Sequence, residues 1–117
     1  MQIVKFLIKA ILILFFLGAI AYHAYGLTDH STSETDLSHL AHILCYSMCL
    51  FGILSSAKYR LIIYIIFALY PLGYHAWLGW NWIVNNGRPN ITYTLVVIIM
   101  ILGGVWIWKQ PKKYWED

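Results

Sequence analysis

Apolar residues fill four long runs of this chain, and polar residues gather in the breaks between them. The runs extend from about Ile3 to Leu27, Leu37 to Ser56, Leu61 to Val84 and Ile91 to Trp108. Each holds roughly the 20 apolar residues that an α-helix needs to cross a bilayer. The break Thr28 to Asp36 is polar and contains no Lys or Arg, and Lys58 and Arg60 mark a short turn. Asn85-Asn86-Gly87-Arg88-Pro89-Asn90 is turn chemistry throughout. Gly26 is expected to end the first helix, Asp36 to cap the second, and Pro71 with Gly73 to interrupt the third. The fold class that follows is an all-α integral membrane protein. Residues 1–117 form one domain, a four-transmembrane-helix bundle.

Within the runs, the polar exceptions fall on particular faces. On a helix turning about 100° per residue, His42, Cys45, Cys49, Gly52 and Ser56 share one stripe roughly 80° wide. The opposite face carries Leu40, Ile43, Leu44, Leu50, Phe51 and Leu54, with Ser47 the only polar member. In the third run Tyr64, Ala68, Pro71, His75 and Gly79 share a face that is small or polar. These stripes are expected to face protein, and the apolar backs lipid.

Composition agrees. Hydrophobic residues make up 61% of the chain and charged ones 11%, where a soluble domain carries about 25% charged. The net charge of +3 does not point to nucleic acid, because the basic residues sit at segment ends and form no patch. Their distribution sets an orientation instead. With both termini cytoplasmic, Lys5, Lys9, Lys58, Arg60, Lys109, Lys112 and Lys113 lie inside and only Arg88 outside. Tyr22, Tyr25, Tyr74, Trp77, Trp80 and Trp82 then mark the outer interface, and Tyr59, Trp106, Trp108, Tyr114 and Trp115 the inner one. A competing reading takes the basic start, the apolar run and Ala19-Ile20-Ala21 as a cleaved signal peptide; the four-span reading is preferred.

An internal repeat is also visible. Ala21-Tyr22-His23-Ala24-Tyr25 resembles Gly73-Tyr74-His75-Ala76-Trp77 at an offset of 52, which aligns the first run with the third and the second with the fourth. The pattern is that of a duplicated helical hairpin, although the second copy lacks the histidines and cysteines of the second run.

The candidate chemistry is one-sided. In the frame above, His23, His30, His39, His42 and His75 all map to the outer half. At 1.5 Å per residue, His42 is expected about 8 Å and His75 about 12 Å below the outer helix ends. Asp29, Glu34 and Asp36 hang over that layer from the loop. Ionisable groups inside a bilayer are costly and face the bundle interior or a water-filled cavity. Neutral imidazole suits Cu, Zn and Fe, and thiolate adds a preference for soft ions. His39 and His42, three residues apart on one helix, are expected to reach one metal, with His75 or His23 completing three ligands. Cys45 and Cys49 continue inward as a soft-metal path, and the same stripe equally fits close helix packing. A second version is haem b, with axial ligands drawn from His42, His75 and His23 and room supplied by Gly26, Ala68 and Gly79.

Two other classes stay open. The histidines suit a proton or ion channel or transporter subunit. They also suit an accessory subunit of a membrane complex whose histidines touch a partner. Four short helices enclose little volume, so a homo-oligomer or complex in the lipid bilayer is expected. No phosphate loop and no nucleophile–base pair points to a particular enzyme.

Overall fold

The computed structural model describes residues 2–29, 34–56 and 58–110. The described residues form four helices: α1 (Gln2–Gly26), α2 (Asp36–Leu54), α3 (Arg60–Asn86) and α4 (Ile91–Trp108). All four are long and apolar enough to cross a membrane. The helices pack in chain order, α1 on α2, α2 on α3 and α3 on α4, while α1 and α4 barely touch. The long axis measures 46 Å, close to the roughly 40–45 Å of a bilayer with its headgroups.

The helix ends show how local chemistry sets the boundaries. Thr35, not Asp36, caps α2: its backbone is extended and its side chain accepts from the Ser38 N–H at 3.1 Å. Asp36 instead stands in the first turn, where its carboxylate faces the positive end of the helix dipole. α2 stops at Leu54 rather than Ser56, because Ser55 turns extended and its carbonyl is taken by the Arg60 guanidinium at 2.5 Å. α4 opens on Asn90, whose side chain accepts from the Tyr93 N–H at 3.0 Å.

The third helix runs unbroken through Pro71 and Gly73 to Asn86, against the expected interruption. Proline removes one backbone hydrogen bond, but in hydrocarbon every alternative to a helix exposes more unpaired backbone. The helix ends only at Gly87, whose φ of 69° is left-handed and whose N–H closes on the Ile83 carbonyl at 2.8 Å.

Apolar burial does not drive helices together in lipid, so close packing and interhelical hydrogen bonds must. The core does this with Leu12, Phe16, Tyr46, Cys49, Ile53, Tyr64, Ala68, Met100 and Ile107. Tyr64 is its centre. Its ring meets Phe16 edge-on at 6.0 Å, and its hydroxyl donates to the Met100 carbonyl at 2.6 Å. A Cβ on Gly103 would collide with that hydroxyl, so the glycine is what lets α3 approach α4 here. The two faces of α2 divide by burial: Leu40, Leu44, Phe51 and Leu54 on its back are exposed and Ile43 and Leu50 half-buried, while His42, Cys45, Cys49 and Gly52 are buried. Ser56, beyond the end of the helix, is exposed.

Candidate metal centre

His23 lies in the last turn of α1, and His39 and His42 in the first two turns of α2. Glu34, two residues before α2, stands over all three. Each imidazole is buried, with 3%, 1% and 0% of its residue surface exposed, and the Glu34 side chain is 11% exposed. Glu34 Oε2 stands 2.9 Å from His42 Nδ1, 3.5 Å from His23 Nδ1 and 3.6 Å from His39 Nδ1. His23 and His39 meet Nδ1 to Nδ1 at 2.9 Å. Three imidazole nitrogens therefore converge on one carboxylate oxygen.

Gly26 makes this possible. A Cβ at that position would overlap the His39 ring, so only glycine lets the end of α1 close over α2. Ser38 steadies the carboxylate: its hydroxyl lies 2.7 Å from Glu34 Oε2 and 2.9 Å from the Tyr70 hydroxyl of α3.

His42 is the pivot. Its Nδ1 lies 2.9 Å from the Ser38 carbonyl and 2.9 Å from Glu34 Oε2. Both are acceptors, so this nitrogen carries the proton, shared between them. Its Nε2 is buried and has no hydrogen-bond partner. Its ring stacks on His23 at 4.3 Å and 4°, and is walled by Tyr70 and Tyr74, each at 4.8 Å. Aromatic walls exclude water, which strengthens any charge interaction formed inside.

One donor atom each from His23, Glu34 and His42 lies within 4.8 Å of the other two, a geometry that accepts a metal ion. Donors on a tetrahedral ion with bonds of about 2.0–2.1 Å stand about 3.3 Å apart. The 2.9 and 3.5 Å separations on Glu34 Oε2 bracket that value. The cluster of Nδ1 atoms around Glu34 Oε2 fits a cation that takes the place of a proton.

The remaining candidate residues fall around this group. His39 belongs to its edge through His23. His75 reaches the layer from α3, with its ring 5.5 Å from that of His42, but its Nδ1 donates to the Pro71 carbonyl at 2.7 Å. His23 and His75 also line, with Tyr46 and Tyr93, a cleft of about 390 Å³ between α1 and α4. Cys45 and Cys49 are buried free thiols deeper in α2, and Cys49 donates to the Tyr64 carbonyl at 3.8 Å within the core. His30 lies outside the described residues. In the sequence Glu34 is a loop acid above the histidines with no expected ligand role. Its spacing four residues before Ser38 and eight before His42 was the available signal.

No family model matches the chain, and no curated protein or solved structure shows significant similarity to it.

Proposed function

We propose that this chain is an integral membrane protein that binds a transition-metal ion through His23, Glu34 and His42, with His39 holding His23 in place. The observation that carries the reading is the convergence of imidazole nitrogens on Glu34 Oε2 at 2.9, 3.5 and 3.6 Å. The donors are imidazole and carboxylate without thiolate, a set that suits Zn(II) or Fe(II) better than Cu(I). Two histidines and one carboxylate leave a coordination position for water or a further ligand. The Lys and Arg bias supports cytoplasmic termini, which puts the centre in the outer half and suits metal handling or electron transfer there. A homo-oligomer or a membrane complex is the setting we favour.

The geometry supports a bare ion over haem. The His42 and His75 rings are in edge contact, and the His23 and His42 rings are stacked at 4.3 Å. Neither pair encloses a slot for a porphyrin; His23 and His75, which share the cleft between α1 and α4, are the haem pair that the spectrum below tests. A second reading has its own observation: Ser38 Oγ lies within hydrogen-bond distance of both Glu34 and Tyr70, a polar run suited to passing protons.

The test is elemental analysis and a UV–visible spectrum on one detergent-purified sample. We expect near-stoichiometric Zn or Fe, no Soret band, and loss of the metal as acid protonates the imidazoles. A protein that stays empty after growth and titration with Zn, Fe and Cu overturns the metal reading and leaves the proton run. A Soret band overturns it in favour of haem.

A further inference from the structure

The opposite end of the bundle holds a different arrangement, independent of the metal centre. Because α1 and α4 barely touch, a cleft of about 390 Å³ opens between them at the end where α1 begins and α4 finishes. Its walls are Ile8, Ile11 and Leu12 of α1 facing Ile99, Leu102 and Val105 of α4. Its mouth carries Lys5 and Lys109. Lys9 stands one turn above Lys5, its ammonium 5.9 Å from the Trp106 ring. The described acidic residues, Asp29, Glu34 and Asp36, all lie at the far end, in the break between α1 and α2 and the first turn of α2.

The dimensions are those of one lipid leaflet. From Ile99 to Lys109 a helix rises about 15 Å, half of the roughly 30 Å hydrocarbon core. The apolar walls thus extend from mid-bilayer to headgroup level, and positive charge begins where headgroups begin. A neutral surface would serve a zwitterionic lipid equally well; two lysines at the mouth of an apolar groove select a negative one.

We propose that the α1–α4 cleft is a binding site for an anionic glycerophospholipid, with one acyl chain along Ile11 and Leu102 and the phosphate between Lys5 and Lys109. Each juxtamembrane lysine favours an anionic lipid about fivefold. The pair therefore predicts a preference of about 25-fold over a zwitterionic lipid.

The experiment uses the full chain, delipidated in detergent and titrated with phosphatidylglycerol or phosphatidylcholine while binding is followed by native mass spectrometry. The wild type is expected to bind phosphatidylglycerol about 25-fold more tightly, at one lipid per chain. The double variant Lys5→Gln/Lys109→Gln is expected to lose that preference. Ile11→Trp fills the groove from an exposed position without touching either charge, and is expected to abolish the bound lipid. Thermal melting checks that both variants remain folded. Retention of phosphatidylglycerol by Ile11→Trp overturns the groove and leaves general surface attraction. Equal binding of the two lipids by the wild type overturns the proposal, as does a homodimer sealed through this cleft with no lipid in it.

Discussion

Ala21-Tyr22-His23-Ala24-Tyr25 and Gly73-Tyr74-His75-Ala76-Trp77 are near copies in sequence, yet their histidines stand in different chemistry. His23 is buried against two other imidazoles and a carboxylate. His75 is half-buried, and its Nδ1 is held by the carbonyl one turn back in its own helix. The difference comes from what lies beyond each motif. After the first, Gly26 lets α1 close on His39, and Glu34 stands over the top. At the matching place after the second stands Leu78, and the following break, Gly87 to Asn90, contains no acid. A shared local pattern places an imidazole near the end of the bundle; glycine and a carboxylate decide whether it joins the cluster around Glu34.

The sharpest way to break this comparison is at the residue both motifs touch. His42 contacts His23 on one side and His75 on the other. His42→Ala is expected to lower metal affinity by at least about 100-fold, since outer-shell losses alone reach 10–100-fold. Metal content after dialysis is the measurement, with a thermal melt to confirm folding. The paired substitutions come next. His23→Ala is expected to lose about 100-fold, whereas His75→Ala should stay within about tenfold of wild type. Equal losses would show that the second motif is a ligand after all. Glu34→Gln keeps the shape and removes the charge. It is expected to cost about 10–100-fold in affinity at constant stability, and an unchanged affinity would remove the carboxylate from the site.

These outcomes bear on how much of the molecule its sequence displays. Four spans were legible because the bilayer leaves few choices: an apolar run of that length must be helical. The continuity of α3 through Pro71 was not, because the cost of unpaired backbone in lipid outweighs the local cost of a helix breaker. The cap of α2 fell one residue early for a local reason, since Thr35 and Asp36 are both competent acceptors. The histidine layer was legible from sidedness and depth. The ligand set was not. It depends on where Glu34 stands over the histidines, and no periodicity reports where a loop carboxylate lands. Gly26 looked like a helix stop and a place for a porphyrin edge, and its fit against the His39 ring is visible only once the two helices meet.

Gly26→Ala tests that fit. Its methyl would displace the His39 ring and loosen the 2.9 Å contact that orients His23. A loss of about tenfold in metal affinity is expected, the lower bound for an outer-shell partner. A titration of the variant with Zn measures it. An unchanged affinity would make Gly26 a packing residue only and would leave Glu34 as the sole difference between the motifs.

The smallest expected effect separates the two readings of the centre. Ser38 touches Glu34 and Tyr70 but contributes no donor to the ion. If the site holds a metal, Ser38→Ala removes one hydrogen bond from a carboxylate that still faces three imidazoles. Such a bond to a charged group is worth about 1.5–3 kcal/mol at most, and part of that is recovered once the carboxylate binds a cation. The affinity should fall by no more than about tenfold. If the cluster passes protons, Ser38 is the link between the loop acid and α3, and alanine has no group to replace it. Proton flux in vesicles should then collapse while metal content is unaffected. A modest drop in metal affinity therefore supports the ion, and a lost flux with unaltered metal content supports the relay. The asymmetry arises because a ligand shell tolerates a missing support, whereas a proton path does not tolerate a missing link.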